Sequence, residues 1–159
     1  GVLARLSQLH VDGIISFHVT RDGFDSTSAL IRAIKRSRFK PQIRAIIMHS
    51  ITVAGFNILD LKKIFSTLRV PVITITRRKP REEKVLSALR KLPKSKERIK
   101  LVKQAGKPFS FNKLYYRVQG MSARDAELVL KSFQGFPWPL RLAHLIASAV
   151  VRGESHGRA

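Results

Sequence analysis

Residues 43–76 read IRAIIMHSITVAGFNILDLKKIFSTLRVPVITIT, and this stretch decides the fold. Two short apolar runs, at residues 43–48 and 71–76, are bounded by turn residues and are typical of buried strands. Between them lie four apolar residues at helical spacing: Leu61, Ile64, Phe65 and Leu68. A strand, a helix and a second strand in this order predict a right-handed crossover between two parallel strands.

The residues before this unit predict a strand pair and a helix. Residues 1–20 are rich in Val, Ile, Leu and Phe and predict two strands, with the turn between residues 8 and 13. Asp12-Gly13 marks either a hairpin turn or a bulge. Asp25 or Ser26 is suited to cap the helix that follows. The apolar face of that helix consists of Leu30, Ile31 and Ile34.

The residues after the unit predict three further helices and a strand. We expect helices at residues 81–91 and 94–104, the second ending at Gly106. Residues 109–119 alternate like a single strand. Ser122 is suited to cap the next helix. The buried face of that helix consists of Ala126, Val129, Leu130 and Phe133.

The final stretch, residues 136–159, reads FPWPLRLAHLIASAVVRGESHGRA. Its residues 140–151 are almost all apolar, which predicts a helix buried on most sides. Two prolines suit the start of this helix, and Gly153 suits its end. The polar exceptions fall on one stripe: Arg141, His144, Ser148 and Arg152. Such a stripe faces either polar neighbours in the sheet or a ligand.

Charge is the strongest compositional feature. The chain has 31 Lys and Arg against 10 Asp and Glu, a formal net charge of +21. Such an excess repels itself unless a polyanion screens it, which favours RNA or DNA as a partner over a merely solvated basic surface. A membrane fits less well, because there is neither a segment of spanning length nor a basic amphipathic helix with an aromatic face. The lack of cysteine excludes disulfides and suits a cytoplasmic protein.

Basic residues gather at several places that suit phosphate binding. Ligands of parallel sheets tend to lie beyond the carboxyl ends of the strands, and here those ends carry His49-Ser50 and Arg77-Arg78-Lys79. The candidate phosphate contacts are Arg32, Lys35, Arg36, Arg77, Arg78, Lys79, Lys96, Lys100, Lys103, Arg141 and His144. The alternative for each group is a solvated helix face or an ordinary loop.

Two short segments carry acids that suit either structure or metal binding. These are residues 22–25, DGFD, and residues 55–60, GFNILD, which we call the acidic segments. In the second, Asn57 is suited to cap the next helix, with Asp60 near the helix start, where negative charge is favourable. Alternatively, carboxylates from both segments hold a divalent metal, which requires a convergence in space that spacing alone does not establish.

Four motifs, DGFDST, ITVAGFNILD, VPVITITRRKP and PLRLAHLIASAVVRGESHGRA, resemble an archaeal family, the domain-of-unknown-function family ninety-nine, which is similar to endonuclease V. The resemblance covers essentially the whole chain as one domain, residues 1–159. It implies an α/β, ribonuclease H-like fold: an antiparallel three-stranded half, then parallel strands, with helices on both faces of a mixed sheet. By this resemblance, the given sequence starts with what resembles the second strand of that half, so we expect the first strand to be missing, through truncation or true loss.

The departures from the family pattern concern its acids. The strand that is missing usually carries an acidic pair, and His49-Ser50 stands where relatives present Asp-Gly. Gly120-Met121 stands where endonuclease V has Gly-His, and Pro137-Trp138-Pro139 where it has Pro-Glu-Pro. Nucleases of this fold use carboxylates to hold Mg²⁺. The resemblance therefore implies a degenerate site made of Asp22, Asp25, His49, Asn57 and Asp60.

Two functions from different classes follow. The first is a non-catalytic nucleic-acid-binding protein without a cofactor, with RNA favoured over DNA and a ribonucleoprotein such as the ribosome as a candidate partner. The second is a metal-dependent endonuclease acting on RNA or DNA, with Mg²⁺ held by Asp22, Asp25 and Asp60 or by acids of an N-terminal strand outside the given sequence. A purely structural subunit of a protein complex leaves the charge of +21 unexplained.

Overall fold

The computed structural model describes residues 1–5 and 9–155. Its strands are β1 (Val2–Arg5), β2 (His10–Ile14), β3 (Ile46–Met48), β4 (Thr52–Val53), β5 (Asn57–Ile58), β6 (Val72–Thr76), β7 (Phe109–Phe111) and β8 (Leu114–Gln119). Its helices are α1 (Ser26–Arg36), α2 (Leu61–Leu68), α3 (Glu82–Leu89), α4 (Ser95–Gln104), α5 (Ala123–Lys131) and α6 (Trp138–Arg152). No helix among the described residues is long and apolar enough to cross a membrane.

A mixed sheet in the order β3-β6-β8-β7 forms the centre of the molecule. Strands β3 and β6 are parallel, with Ile46 opposite Val72 and Met48 opposite Thr74, so the predicted crossover is confirmed. Strand β8 is antiparallel to β6. Because β3 and β6 are parallel and in register, the residues that follow Met48 and Thr76 leave the sheet at the same edge.

Helices cover both faces of this sheet, as expected for the α/β class. Alternation along β6 sends Val72 to one face and Ile73 and Ile75 to the other. The first face packs against the apolar sides of α1, α2, α3 and α4. The second face packs against α5, through Ala126 and Leu130, and against the start of α6. Burial on both faces explains why β6 reads as a continuous apolar run.

The predicted strand pair at the N-terminus is present as β1 and β2, which are antiparallel. Leu3 lies opposite Gly13, but Ala4 lies opposite Val11, so Asp12 is an extra residue and forms a bulge. Of the two alternatives for Asp12-Gly13, the bulge is therefore correct. Residues 6–8, between the two strands in the sequence, lie outside the described residues, so the predicted position of the turn is tested only in part.

The prediction of one strand over residues 109–119 is wrong. The chain turns back at Asn112 and Lys113, which have φ values of 46° and 63°, and β7 pairs with β8 as a hairpin. Positive φ at both central residues is typical of the tight turns that join twisted strands, and asparagine tolerates it well. The apolar alternation continues through the turn, and this continuity concealed the reversal.

The prediction of a C-terminal helix buried on most sides is also wrong. Helix α6 has no fully buried residue, and its last turn exposes Val150 by 76% and Val151 by 79%. It contacts β1, while Leu140 at its start packs against the mixed sheet. Gly153 ends it with a φ of 82°, as predicted. The described elements cover one side of α6, so its polar stripe reaches the surface at Arg141 and His144.

Candidate nucleic-acid interface

Side chains from three separate parts of the chain meet beyond the carboxyl ends of the parallel strands. His49 follows β3, Arg77 follows β6, and Phe136 precedes α6. The guanidinium carbon of Arg77 lies 4.4 Å from the centre of the Phe136 ring, and the ring of His49 meets Phe136 edge-on at 5.9 Å between centroids. We call His49, Arg77, Phe136 and the nearby His144 the strand-end cluster.

The electrostatics of the strand-end cluster are dominated by positive charge. The pKa of His49 lies below its ordinary value, first because contact with the protein removes water from the imidazole, and then because His144 and Arg77 repel a proton there. No carboxylate contributes to this shift. Near neutral pH the neutral form of His49 is therefore favoured, beside an exposed guanidinium.

The backbone around the cluster is held by local hydrogen bonds. Thr76 Oγ1 donates to the carbonyl of Arg78 at 2.9 Å, which fixes the turn that carries Arg77. Ser50 has a φ of 90°, a conformation that favours glycine, and its hydroxyl lies 3.2 Å from that of Thr52. Position 50 thus has a backbone conformation that suits glycine, the residue that the family resemblance implies at this position.

Two other groups of predicted contacts lie on helix faces. Arg32 and Arg36 line an open groove of about 420 Å³ between α1 and residues 14–18. Lys96, Lys100 and Lys103 share the predicted exposed face of α4, beside Ile99. These groups lie on different elements from the strand-end cluster, and their role in binding stays a prediction.

The acidic segments are joined by Asn57, which is fully buried in β5. Its amide nitrogen donates to Asp25 Oδ1 at 2.6 Å and to the carbonyl of Thr20 at 3.0 Å, and its oxygen accepts from the backbone N–H of Ser26 at 3.1 Å. The prediction that Asn57 caps α2 is therefore wrong. The Asn57 amide makes these hydrogen bonds inside the molecule, where it pairs with the buried polar atoms of two loops.

Each of the three candidate metal ligands has partners within the chain. Asp25 accepts the bond from Asn57 and also bonds from the N–H and hydroxyl of Thr20; these, with Asn57 first, hold the pKa of Asp25 below its ordinary value. Asp22 Oδ1 accepts from the N–H of Phe56 at 2.8 Å, and Arg21 lies 3.9 Å from its other oxygen. Asp60 is the true cap of α2 and accepts from the N–H of Lys63 at 2.9 Å.

Arg98 is the residue that sequence reasoning missed. Its side chain is only 3% exposed, and it donates to the carbonyls of Asp22, Gly23, Phe56 and Pro93. It thereby ties both acidic segments to α4. The available signal was its spacing, because Arg98 lies four residues before the buried Val102 on the inward face of an otherwise basic helix.

The residues present do not fit the carboxylate site that the family resemblance implies. The three acids accept hydrogen bonds from their own chain, and at the strand ends the guanidinium of Arg77, beside His49, repels a cation. Within residues 1–5 and 9–155, no three His, Cys, Asp or Glu side chains form a group that could hold a metal ion. Met121, where endonuclease V has histidine, packs as an apolar side chain against the sheet.

Comparison with known proteins places the chain among archaeal relatives. A protein named UPF0215 from Pyrococcus horikoshii is 44% identical over 151 residues, which cover 91% of this chain and 78% of the relative. Another from Thermococcus sibiricus is 41% identical over 161 residues, which cover 98% of this chain and 82% of the relative. A crystal structure of a protein of unknown function from Archaeoglobus fulgidus superposes with a TM-score of 0.87 at 34% identity, covering 91% of this chain and 85% of that one.

The fold and the family resemblance inferred from the motifs are both confirmed by these comparisons. The sequence model of a family described as endonuclease dU matches residues 1–151, which include the strand-end cluster, the acidic segments and nearly all of α6. This chain therefore belongs to the endonuclease dU family.

Proposed function

We propose that this chain binds nucleic acid through the phosphate backbone and does not hydrolyse it. The observation that carries the proposal is a separation of charges. Four ion pairs of the described residues use Asp12, Asp22 and Glu82, and none of these four involves the strand-end cluster or the lysine face of α4. Exposed cations outside these ion pairs suit a polyanionic partner.

The proposal names RNA before DNA, either free or within a ribonucleoprotein. The basic groups contain few aromatic side chains, which favours recognition of backbone and shape over base stacking. Shape recognition is typical of proteins that bind double-stranded RNA. The family description, endonuclease dU, supports a nucleic-acid ligand in general.

The test is a titration of labelled RNA and DNA duplexes of matched sequence at several salt concentrations, read by fluorescence anisotropy. We expect affinity to fall steeply with salt, and the slope to decrease by about 0.7–0.9 for each phosphate contact removed. Lys100→Gln tests the α4 face, and Lys131→Gln is the matched control, because Lys131 is an exposed helical lysine outside the candidate groups. Affinity that did not depend on salt would contradict the proposal.

A metal-dependent endonuclease is the second candidate, and the family description favours it. The test is incubation with deoxyuridine- or inosine-containing DNA and RNA in Mg²⁺ and in Mn²⁺. Since Asp22 and Asp25 hold the fold together, the suitable variants are Asp22→Asn and Asp25→Asn, each checked for a retained melting transition. Cleavage by the wild type that a folded variant lacks would establish the endonuclease and overturn the non-catalytic proposal.

A further inference from the structure

The strand-end cluster differs from the other basic groups because its members come from separate elements and contact one another. Arg77 lies over the ring of Phe136, and the His49 ring is T-shaped to the same ring, at 5.9 Å between centroids. A guanidinium held over an aromatic ring loses less rotational freedom when it binds an anion than a lysine on an exposed helix does. The cluster is therefore a preorganised group of donors.

Repulsion inside the cluster has a consequence for binding. His49 lies near Arg77, on the turn after β6, and near His144, on α6, and no carboxylate is among the causes of the pKa shift at His49. An anion placed among the three side chains would replace repulsion by attraction and would favour the protonated imidazole. Phosphate supplies charge and several acceptor oxygens, and imidazolium and guanidinium both donate to such oxygens.

We propose that His49, Arg77 and His144 form a phosphate site in which His49 gains a proton as the phosphate of a nucleic acid binds. This inference rests on the proposed function and deepens it by naming the group that is bound and the residues that bind it. Binding through this site strengthens as the pH falls, because the imidazole of His49 is protonated more readily in the complex than in the free protein. Each unit by which binding raises the pKa of His49 corresponds to up to about tenfold tighter binding at low pH.

The direct test uses sulfate, whose charge stays constant over the pH range of a histidine titration. Histidine ring resonances are followed by NMR against pH in sulfate and in chloride of equal ionic strength. We expect sulfate to raise the pKa of His49. His10 is the internal control, since its ring is exposed and already lies 3.8 Å from Asp12. A His49 titration that neither sulfate nor an RNA oligonucleotide moves would overturn the site.

The second test measures RNA affinity between about pH 5.5 and pH 7.5, the range that brackets an ordinary histidine pKa. We expect the wild type to bind more tightly at low pH, and His49→Gln to bind with a flatter pH dependence. Lys100→Gln is the matched comparison, because loss of a permanent charge weakens binding at every pH and leaves the slope unchanged. An equal pH slope in His49→Gln and the wild type would contradict the coupling.

These measurements separate the two proposals. RNA binding with an unmoved His49 overturns the phosphate site and leaves the proposed function standing. A sulfate-dependent shift of His49 without RNA binding supports the anion site and overturns the proposed function. Oligonucleotides with a 5′-phosphate and a 5′-hydroxyl distinguish the source of the phosphate, since a larger shift with the first supports a site for a terminal phosphate and an equal shift supports a site for the backbone.

Discussion

The acidic segments and the strand-end cluster use their polar side chains in opposite ways. Asp25 and Asn57 lie in a network in which donors and acceptors are matched within the chain, and Arg98 completes it with four backbone carbonyls. The strand-end cluster instead gathers Arg77 and two histidines at the surface, with no carboxylate contributing to the shift at His49. Polar residues of the first region stabilise the fold, whereas those of the second are the ones that we propose bind a ligand.

The largest expected effect is a loss of stability when the hydrogen bonds that hold the acidic segments are removed. Arg98→Met keeps most of the volume and removes every donor, so the carbonyls of Asp22, Gly23 and Phe56 lose their partner. We expect the free energy of unfolding to fall by at least about 3 kcal/mol, because buried polar groups without partners cost about 1–3 kcal/mol each. Urea denaturation measures this, with Lys100→Met on the exposed face of α4 as the control, expected to change stability by about 0.5 kcal/mol or less. Equal losses in both variants would show that Arg98 does not hold the segments.

The next largest loss of stability is expected when a substitution removes the amide that joins the two loops. Asn57→Ala should lower the free energy of unfolding by about 2–3 kcal/mol at neutral pH, since it deprives Ser26 and Thr20 of buried hydrogen bonds. The exposed amide of Gln104, changed to alanine, is the control.

The loss of stability caused by Asn57→Ala should be smaller at acidic pH than at neutral pH. The lowered pKa of Asp25 contributes stability that is present above the ordinary carboxyl pKa and disappears as the pH falls through the lowered value. The Asn57 amide is the first cause of that lowering. The difference in free energy of unfolding between the variant and the wild type should therefore become smaller as the pH falls below 3.8, the ordinary pKa of the carboxyl group. A difference that grows in acid would contradict the assigned cause.

A smaller effect tests the second region. Arg77→Gln removes one preorganised charge, so we expect nucleic-acid affinity to fall by about 1 kcal/mol, near fivefold, and the salt slope to fall by about 0.7–0.9. Stability should stay within about 0.5 kcal/mol, because Arg77 is exposed. A large loss of stability with unchanged affinity would place Arg77 with the structural residues instead.

The smallest expected effect is a change in the pKa of His49 in the protein without a ligand. In Arg77→Gln the repulsion at His49 is reduced, so the pKa of His49 should rise toward its ordinary value. NMR titration of the free protein measures this shift. The pKa should remain below the ordinary value, because loss of hydration, the first cause, persists as long as Phe136 keeps its place. A fall in the pKa would show that Arg77 is not a repelling neighbour.

Much of the architecture could be predicted because it depends on local patterns. The parallel pair β3 and β6, the apolar sides of α1 and α2, and the cap at Ser122 all follow from apolar periodicity and from short-range hydrogen bonds. Two of the wrong predictions have a shared cause. The hairpin at Asn112 and the exposed side of α6 depend on which elements lie nearby, and hydrophobicity alone does not record that.

The sequence by itself determined the charge of +21, the α/β class and the family motifs, since these are properties of composition and of residues close together in the chain. Only the tertiary structure decided the roles of individual polar residues. Asn57 and Arg98 are 41 positions apart, and they hold the same two loops because folding brings those loops together. His49, Arg77 and Phe136 likewise meet only because parallel strands end at one edge of the sheet. A hydrogen bond or a charge pair depends on distance in space, which spacing along the chain does not specify.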